Sequence, residues 1–412
     1  ITEDGRAYVR QFENKFDIIY SLSSNTFASL ASGAFALAEN YLFTQEAFED
    51  YYDAMTKDGI MLLDHQFYIP RLTTAVIQAL KNKGVDHPKS HIAIFHSYPG
   101  RRKMMLIGKK PLKEEVINNA FPSMTASDSP YLTEEYPNPP DSLKNNLVSQ
   151  IIKHGWKQIQ DTVATDLSPS TDNRPFAAQM GLWKNFDINK IDKISPYEFK
   201  GFPVVKLLIL VILLVVGLII IPINLIPFLK KGNKLTFNGW SFFFLIGVAF
   251  MAIEVILIQK YTRFIGPGSY TFVTILFTLL LASGIGSRFS QKFKSSIPFI
   301  GIILWVLSDI FLFEYLLNAV DSLFMFGRIL ITIILILPLG FFMGMPFPKG
   351  TKRVGELIDW GFAINGAASV LGSTAIMLMA FNFGYNMALL AGAAAYLLAM
   401  LIARSQKKWI TE

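Results

Sequence analysis

Between Lys206 and Lys230 the chain runs for 23 residues, Leu207 to Leu229, without one ionisable side chain. A helix of that length rises roughly 35 Å, enough to cross a hydrocarbon core about 30 Å thick. The chain therefore changes solvent here. Before this point charged, polar and apolar residues are mixed as in a water-soluble domain, and after it long apolar runs alternate with short basic loops.

Charge follows the same division. The 412 residues carry a net charge of +7, which in a soluble protein would suggest a nucleic-acid partner. Residues 1–200, however, hold 22 Lys and Arg against 24 Asp and Glu, whereas residues 201–412 hold 16 against 7. The excess belongs to the membrane half, where it marks loop orientation, and no nucleic-acid partner is expected. Cysteine is absent, so disulfides and thiolate metal sites are excluded. The opening Ile1-Thr2-Glu3-Asp4-Gly5 reads as mid-domain, and an upstream portion is expected.

In the first half, Ala7 to Gln11 suits a short helix and Phe16 to Tyr20 a buried parallel strand. Residues 21–40 read as a long loop. Thr44 is a candidate N-cap for an amphipathic helix through Ala47, Phe48, Tyr51 and Met55 that ends near Lys57-Asp58-Gly59. Ile60 to Leu63 is the next strand. A helix from Arg71 to Lys83 stops at Gly84, and strands Ile92 to Phe95 and Lys103 to Gly108 flank a turn at Tyr98-Pro99-Gly100-Arg101. This alternation predicts a mainly parallel sheet with helices on both faces. Pro130 to Pro140 reads as a loop, Ser142 to Ile159 as a helix, and Asp172-Asn173-Arg174-Pro175 as a turn. Arg101-Arg102-Lys103 reads as a solvated turn. His87 and His91 are separated by Pro88 and lack further ligands nearby, so no metal site is expected.

Several of these pieces, in order, resemble the spermidine synthase branch of S-adenosylmethionine-dependent transferases: Asp4-Gly5-Arg6, Phe16-Asp17-Ile18-Ile19, Tyr41-Leu42-Phe43-Thr44, Phe48 and Asp58-Gly59-Ile60. Thr171 to Phe176, Gly344-Met345-Pro346-Phe347-Pro348 and Ile364-Asn365-Gly366-Ala367 resemble the multi-pass membrane members of that group. The resemblance implies an α/β Rossmann-like partial domain over residues 1–200, followed by an all-α polytopic membrane bundle over residues 203–404. It also implies S-adenosylmethionine or its decarboxylated form as cofactor, with methyl or aminopropyl transfer to a small-molecule or lipid-like substrate. The glycine-rich turn and the acidic residue that hold the methionine and ribose parts in that group have no counterpart in these residues.

By the same resemblance Asp4 matches the aspartate that accepts from the adenine amino group, with Gly5 leaving room for the base. The competing reading is a plain Asp-Gly turn. The aspartate that serves catalysis in that group aligns with Leu22, so efficient spermidine synthesis is not expected. Glu39 and Asp64 are the weak catalytic candidates. Tyr41, Asp64 and His65 are expected above strand ends, as substrate contacts or as ordinary loop residues.

About seven apolar segments follow in the membrane half: Leu207–Leu229, Trp240–Ile258, Tyr270–Gly286, Ile297–Leu317, Phe324–Met345, Leu357–Phe381 and Met387–Ile402. An integral multi-pass protein of a bacterial inner or plasma membrane, in contact with lipids, is the expectation. Small residues in Ser283 to Ser287, Gly361 to Gly372 and Ala391 to Ala395 would let helices approach closely. Glu254, Asp309, Glu314 and Arg328 should face the interior, because a charge at mid-bilayer costs at least about 2.5–3.5 kcal/mol. Ion pairing and a transport or substrate role are equally compatible with them.

Seven crossings put the basic loops on one side, which the positive-inside rule makes cytoplasmic, and put the soluble half outside. The cofactor implied by the resemblance is cytosolic. A re-entrant hairpin at Pro222 and Pro227 would reconcile the two, and the cytoplasm is the placement adopted as the expectation. A transporter with a ligand-sensing domain and a non-catalytic scaffold are the alternatives to a transferase.

Overall fold

A computed structural model describes residues 4–22, 38–65, 68–97, 102–119, 132–189, 200–229, 234–266, 268–320, 323–405 and 408–411. Of the loop expected over residues 21–40, residues 23–37 lie outside these residues, as does the turn at 98–101, while Ser21 and Leu22 belong to a strand and residues 38–40 to a single turn. Two compact units divide the chain, Ile1–Val205 and Lys206–Glu412.

In the first unit, helix α1 (Gly5–Val9) leads to strand β1 (Phe16–Leu22). Thr44 caps helix α2 (Gln45–Ala54) by accepting from the Ala47 N–H at 3.1 Å, as its position foretells. The chain passes directly into β2 (Met55–His65), so the helix ends earlier and the strand starts earlier than expected. Gly59 sits where the β1–β2 register shifts. A Cβ there would lie 2.9 Å from the Phe16 carbonyl oxygen, so only glycine suits this irregularity. Helix α3 (Ile69–Asn82) begins with Pro70 in its first turn and stops at Gly84, whose φ is +75°. Strands β3 (Ile92–Ser97) and β4 (Arg102–Gly108), helix α4 (Glu114–Asn119), strand β5 (Leu132–Tyr136) and helices α5 (Leu147–His154) and α6 (Trp156–Ile159) complete the unit.

The strand order is β1-β2-β4-β3-β5. Only β1–β2 is a parallel pair; β2–β4, β4–β3 and β3–β5 are antiparallel, so the expectation of a mainly parallel sheet is corrected. The reason is connection length: β3 and β4 are too close in sequence for the crossover that a parallel pair needs. Strands β1, β2 and β3 nevertheless point the same way. Helices do cover both faces. Phe48 of α2, Leu72 and Val76 of α3 and Val148 of α5 pack on Met61, Leu63, Ile94 and Met105, while Ile117 of α4 packs with Phe95 and Leu106 on the other face.

Three further expectations are revised. Among the described residues strand β1 is an edge, and Ile18 and Tyr20 are 74% and 58% exposed, so the strand is not buried. The Pro130–Pro140 segment contains β5, four of whose five residues pair with β3 between flanking prolines, with Glu135 at a register shift. The single helix expected over Ser142–Ile159 is broken at Gly155, where φ is +83°.

The second unit is helical: α7 (Val204–Leu229), α8 (Phe237–Ile265), α9 (Gly268–Phe289), α10 (Ile297–Ala319), α11 (Met325–Met343), the short α12 (Pro346–Val354), α13 (Ile358–Phe383) and α14 (Tyr385–Arg404). By length and composition six apolar helical stretches can cross a membrane, making this a multi-pass membrane protein. The longest, Met325–Phe383, comprises α11 and α13 with α12 between them, so each of the seven apolar segments lies on a long helix. Helix α7 runs unbroken through Pro222 and Pro227, which removes the re-entrant hairpin. Small residues mark the closest helix contacts. A Cβ on Gly372 would lie 2.6 Å from the Val248 carbonyl oxygen, and one on Gly392 would lie 2.7 Å from Ile253 Cγ1.

Contacts among the connecting segments gather them at one end of this unit. Lys234–Leu235 pairs with Ile410–Thr411, Lys349 Nζ donates to the Phe293 carbonyl at 2.6 Å, and Arg353 lies 4.7 Å from the Trp409 ring centroid.

Candidate functional site

In an open α/β layer, ligands bind beyond the carboxyl ends of the strands. At that edge β1 ends in Leu22, β2 in Asp64 and His65, and β3 in His96 and Ser97, and β4 begins there with Arg102 and Lys103. Leu22 lies in register with Asp64 on the neighbouring strand. Leu22, 53% exposed, is thus the neighbour of the candidate carboxylate.

Asp64 is committed to an ion pair: Arg102 Nε donates to Oδ1 at 2.8 Å, and Nη2 lies 2.8 Å from Oδ2. On the opposite sheet face, buried Glu135 receives Lys103 Nζ at 2.8 and 2.7 Å, with His96 Nδ1 at 3.6 Å. Arg102 and Lys103 are therefore strand residues holding carboxylates, which corrects the solvated-turn reading. Arg101 lies outside the described residues.

His65 has no accessible surface, and neither ring nitrogen has a hydrogen-bond partner among the described residues. Its ring packs between Phe43 and Tyr68, with centroids at 5.2 and 4.6 Å. Burial, and then the nearby Arg102 charge, push its pKa down to about 4, so the imidazole is neutral at physiological pH. An unpartnered buried imidazole at a strand end marks the site most clearly, since such groups are costly and uncommon.

A buried ionic network lies behind Phe43. Arg6, 3% exposed, donates to both Asp172 oxygens at 2.6 and 2.9 Å and to Asp50 Oδ2 at 2.7 Å. It also donates to the Tyr41 carbonyl at 2.9 Å. Thr44 Oγ1 donates to Asp172 Oδ1 at 2.6 Å, and Glu46 accepts from the Asp172 N–H at 2.9 Å. Burial opposes the Arg6 charge, but Asp172 and Asp50 outweigh it and hold the guanidinium firmly ionised. Burial, followed by the Asp172 charge, raises the Glu46 carboxyl to about 7. Three separated stretches, Asp4-Gly5-Arg6, Tyr41 to Thr44 and Thr171 to Arg174, are thereby joined. A second buried arginine, Arg71, donates to the carbonyls of Ser168, Phe176, Ala177 and Gln179 at 2.8–3.2 Å and fixes the segment leading toward Val204.

Asp4 is the N-cap of α1, its Oδ1 accepting from the Ala7 N–H at 2.9 Å. A Cβ added at Gly5 would meet nothing within 4 Å, so the space beside this residue is open. Tyr41 is buried, with its backbone carbonyl on Arg6. Of Glu39, in the single turn Ala38–Phe43, only the backbone is described. Sequence reasoning missed Arg6 and Arg71 as organising cations; the position of Arg6 between Asp4-Gly5 and an apolar helix was the available signal.

In the helical unit Glu254, Asp309 and Arg328 are buried. Asp309 accepts from Lys260 Nζ at 2.7 Å and from the Tyr261 hydroxyl at 2.8 Å. Glu314 does not face the interior as expected. It lies near the end of α10 with its side chain 56% exposed, and receives Arg263 Nη1 at 2.8 Å. There the pair itself, rather than burial, offsets the charge.

No family model matches this chain, nor does any curated protein or solved structure. Among the described residues no group of three or more His, Asp or Glu side chains could hold a metal ion.

Proposed function

We propose that the first unit is a Rossmann-like transferase module of the spermidine synthase-like kind, tied to a membrane by its helices. On this reading it methylates an acceptor less cationic than a polyamine. The observation that carries the proposal is the neutral, unpartnered His65 at the carboxyl edge of three co-directional strands. Two of the five strands, β4 and β5, run against the other three, so the reading rests on the co-directional β1, β2 and β3 rather than on the sheet as a whole.

The residues fit the adenine end of the cofactor. Asp4 keeps Oδ2 for an exocyclic amine while Oδ1 caps α1, and Gly5 leaves the adjacent space open. When bound, S-adenosylmethionine supplies an electrophilic methyl carbon on a sulfonium. The chain's own part is to position the acceptor and take up its proton. His65 is uncharged above about pH 4 and its ring nitrogens are unpartnered among the described residues, but it has no accessible surface here, so it would accept that proton only with the strand edge opened toward the acceptor. Leu22 supplies no charge to attract a polyammonium, and Asp64 is neutralised by Arg102. Both features favour a neutral or lipid-like acceptor.

Calorimetry on the purified membrane protein tests the cofactor: Asp4→Ala should weaken S-adenosylmethionine binding at least tenfold, and equal affinity would remove Asp4 from the site. Incubation with decarboxylated cofactor and putrescine tests the acceptor, because spermidine formed at an ordinary enzymatic rate would refute the reading. Absence of labelled-methyl turnover despite binding would favour a sensing or scaffold role instead.

A further inference from the structure

The helical unit contains a cavity of about 470 Å³, within the range of roughly 300–1,000 Å³ usual for small-molecule sites. Two motifs far apart in sequence meet on its wall: Gly344 to Pro348, at the α11–α12 break, and Asn365 of α13. A Gly- and Pro-interrupted apolar segment is a recurrent pointer to a binding site in membrane proteins, because irregular backbone at membrane depth is tolerated where it lines a cavity.

The cavity is built into tight packing. Around it, α8 and α13 approach until a Cβ on Gly247 would lie 2.5 Å from the Asn365 carbonyl oxygen, and Gly344 sits directly on the Ser283 backbone. Space left beside helices in glycine-level contact is not general slack in the packing.

Its lining specifies the ligand. No Lys, Arg, Asp or Glu touches the cavity. The polar lining is neutral: Ser283, Ser287, Asn365, Ser369 and Tyr396. Tyr396 is 1% exposed, and its hydroxyl has no hydrogen-bond partner among the described residues. Phe250, Leu280 and Phe347 are part of the apolar wall. Glu254 acts electrostatically on Tyr396 from behind the lining and no Lys or Arg touches the cavity, so an anionic head would be buried without a counter-ion, at a cost of several kcal/mol, whereas a hydroxyl or carbonyl would find donors and acceptors.

We infer that this cavity binds an uncharged amphiphile, an apolar chain bearing a hydroxyl or carbonyl head that bonds to the Tyr396 hydroxyl. About 12 Å of helix rise separates Tyr396 from Arg404, so the site lies within the bundle near its basic end. The inference is independent of the transferase reading.

Gly284 supplies the decisive variant, because it lines the cavity and an added Cβ there meets nothing within 4 Å. The full protein in nanodiscs is titrated with tritiated dodecan-1-ol, with dodecyl phosphate as the charged competitor of equal chain length. Saturable alcohol binding should fall at least tenfold in Gly284→Phe and several-fold in Tyr396→Phe, and dodecyl phosphate should compete at least tenfold more weakly than unlabelled alcohol. Wild-type binding in Gly284→Phe, equal competition by the phosphate, or no saturable binding at all would overturn it. If Gly284→Phe does not fold, Gly284→Leu answers the same question with a smaller side chain.

Discussion

Replacing Glu46 with glutamine should change how the first unit's stability depends on pH. Glu46 accepts from the Asp172 N–H, and burial together with the Asp172 charge raises its pKa from 4.5 to about 7. The folded state therefore holds a proton that the unfolded chain releases at lower pH. For a raised carboxyl the stabilisation is fully present below about pH 4.5 and is lost as pH rises through about 7. At about 1.4 kcal/mol per tenfold, the part lost between pH 5 and pH 8 comes to about 2–3 kcal/mol. Glutamine keeps an acceptor for Asp172 N–H and cannot ionise. The gap in stability, variant minus wild type, should thus open by that amount over this interval.

For a unit of this size, roughly 2–4 °C accompanies each kcal/mol, so the melting temperatures of the two proteins should diverge by about 5–10 °C. Thermal unfolding of the detergent-solubilised protein at pH 5, 6, 7 and 8 reads the difference, following the transition of the first unit. A gap independent of pH, or one that closes as pH rises, would falsify the placement of Glu46 against Asp172. Measuring the difference between proteins cancels the titrating groups that do not interact with Glu46.

Three further outcomes are expected. His65→Phe, which removes two unpartnered ring nitrogens while keeping a ring between Phe43 and Tyr68, should raise stability by about 1 kcal/mol, and should abolish labelled-methyl turnover in an assay that the wild type supports. Asp309→Ala should cost about 3–5 kcal/mol by stranding Lys260, whereas Lys260→Met with Asp309→Leu should recover most of it, both read by thermal unfolding in one detergent. Cysteines placed at Lys234 and Ser405, in a chain with none of its own, should both react with an impermeant maleimide from the same side of the membrane, since β6 (Lys234–Leu235) and β7 (Ile410–Thr411) pair at one end of the helical unit; labelling from opposite sides would refute that arrangement.

The membrane half was legible because its signal is nearly one-dimensional. Each apolar segment must satisfy its own backbone within lipid, so length and hydropathy suffice to locate helices. The soluble half needed long-range information. Phe16 to Tyr20 has the composition of a buried strand, yet β1 is an edge, and nothing in five residues says how many neighbours a strand will have. The β5 segment looked like a loop because prolines flank it; pairing with β3 decided otherwise. The three stretches around Asp4, Thr44 and Asp172 were singled out as separate motifs. Their physical link, one arginine reaching 166 residues along the chain to a carboxylate, is invisible to periodicity.

Charge in the helical unit shows the same division between cost and arrangement. The expense of burying a charge agrees with Glu254, Asp309 and Arg328 lying inside, and not with Glu314, whose exposed side chain is paired with Arg263 near a helix end. Position along the helix, more than residue type, decides whether the penalty applies. The same reasoning separates the buried polar groups by role. Asp309 has both oxygens occupied by Lys260 and Tyr261, as a structural pair requires. Tyr396 lines a cavity with its hydroxyl unused among the described residues, which structural packing alone does not require. A satisfied buried group serves the fold, while an unsatisfied one beside empty space is poised for a ligand. By that criterion Tyr396, rather than the charged residues that drew notice in the sequence, is the side chain whose substitution should separate function from folding.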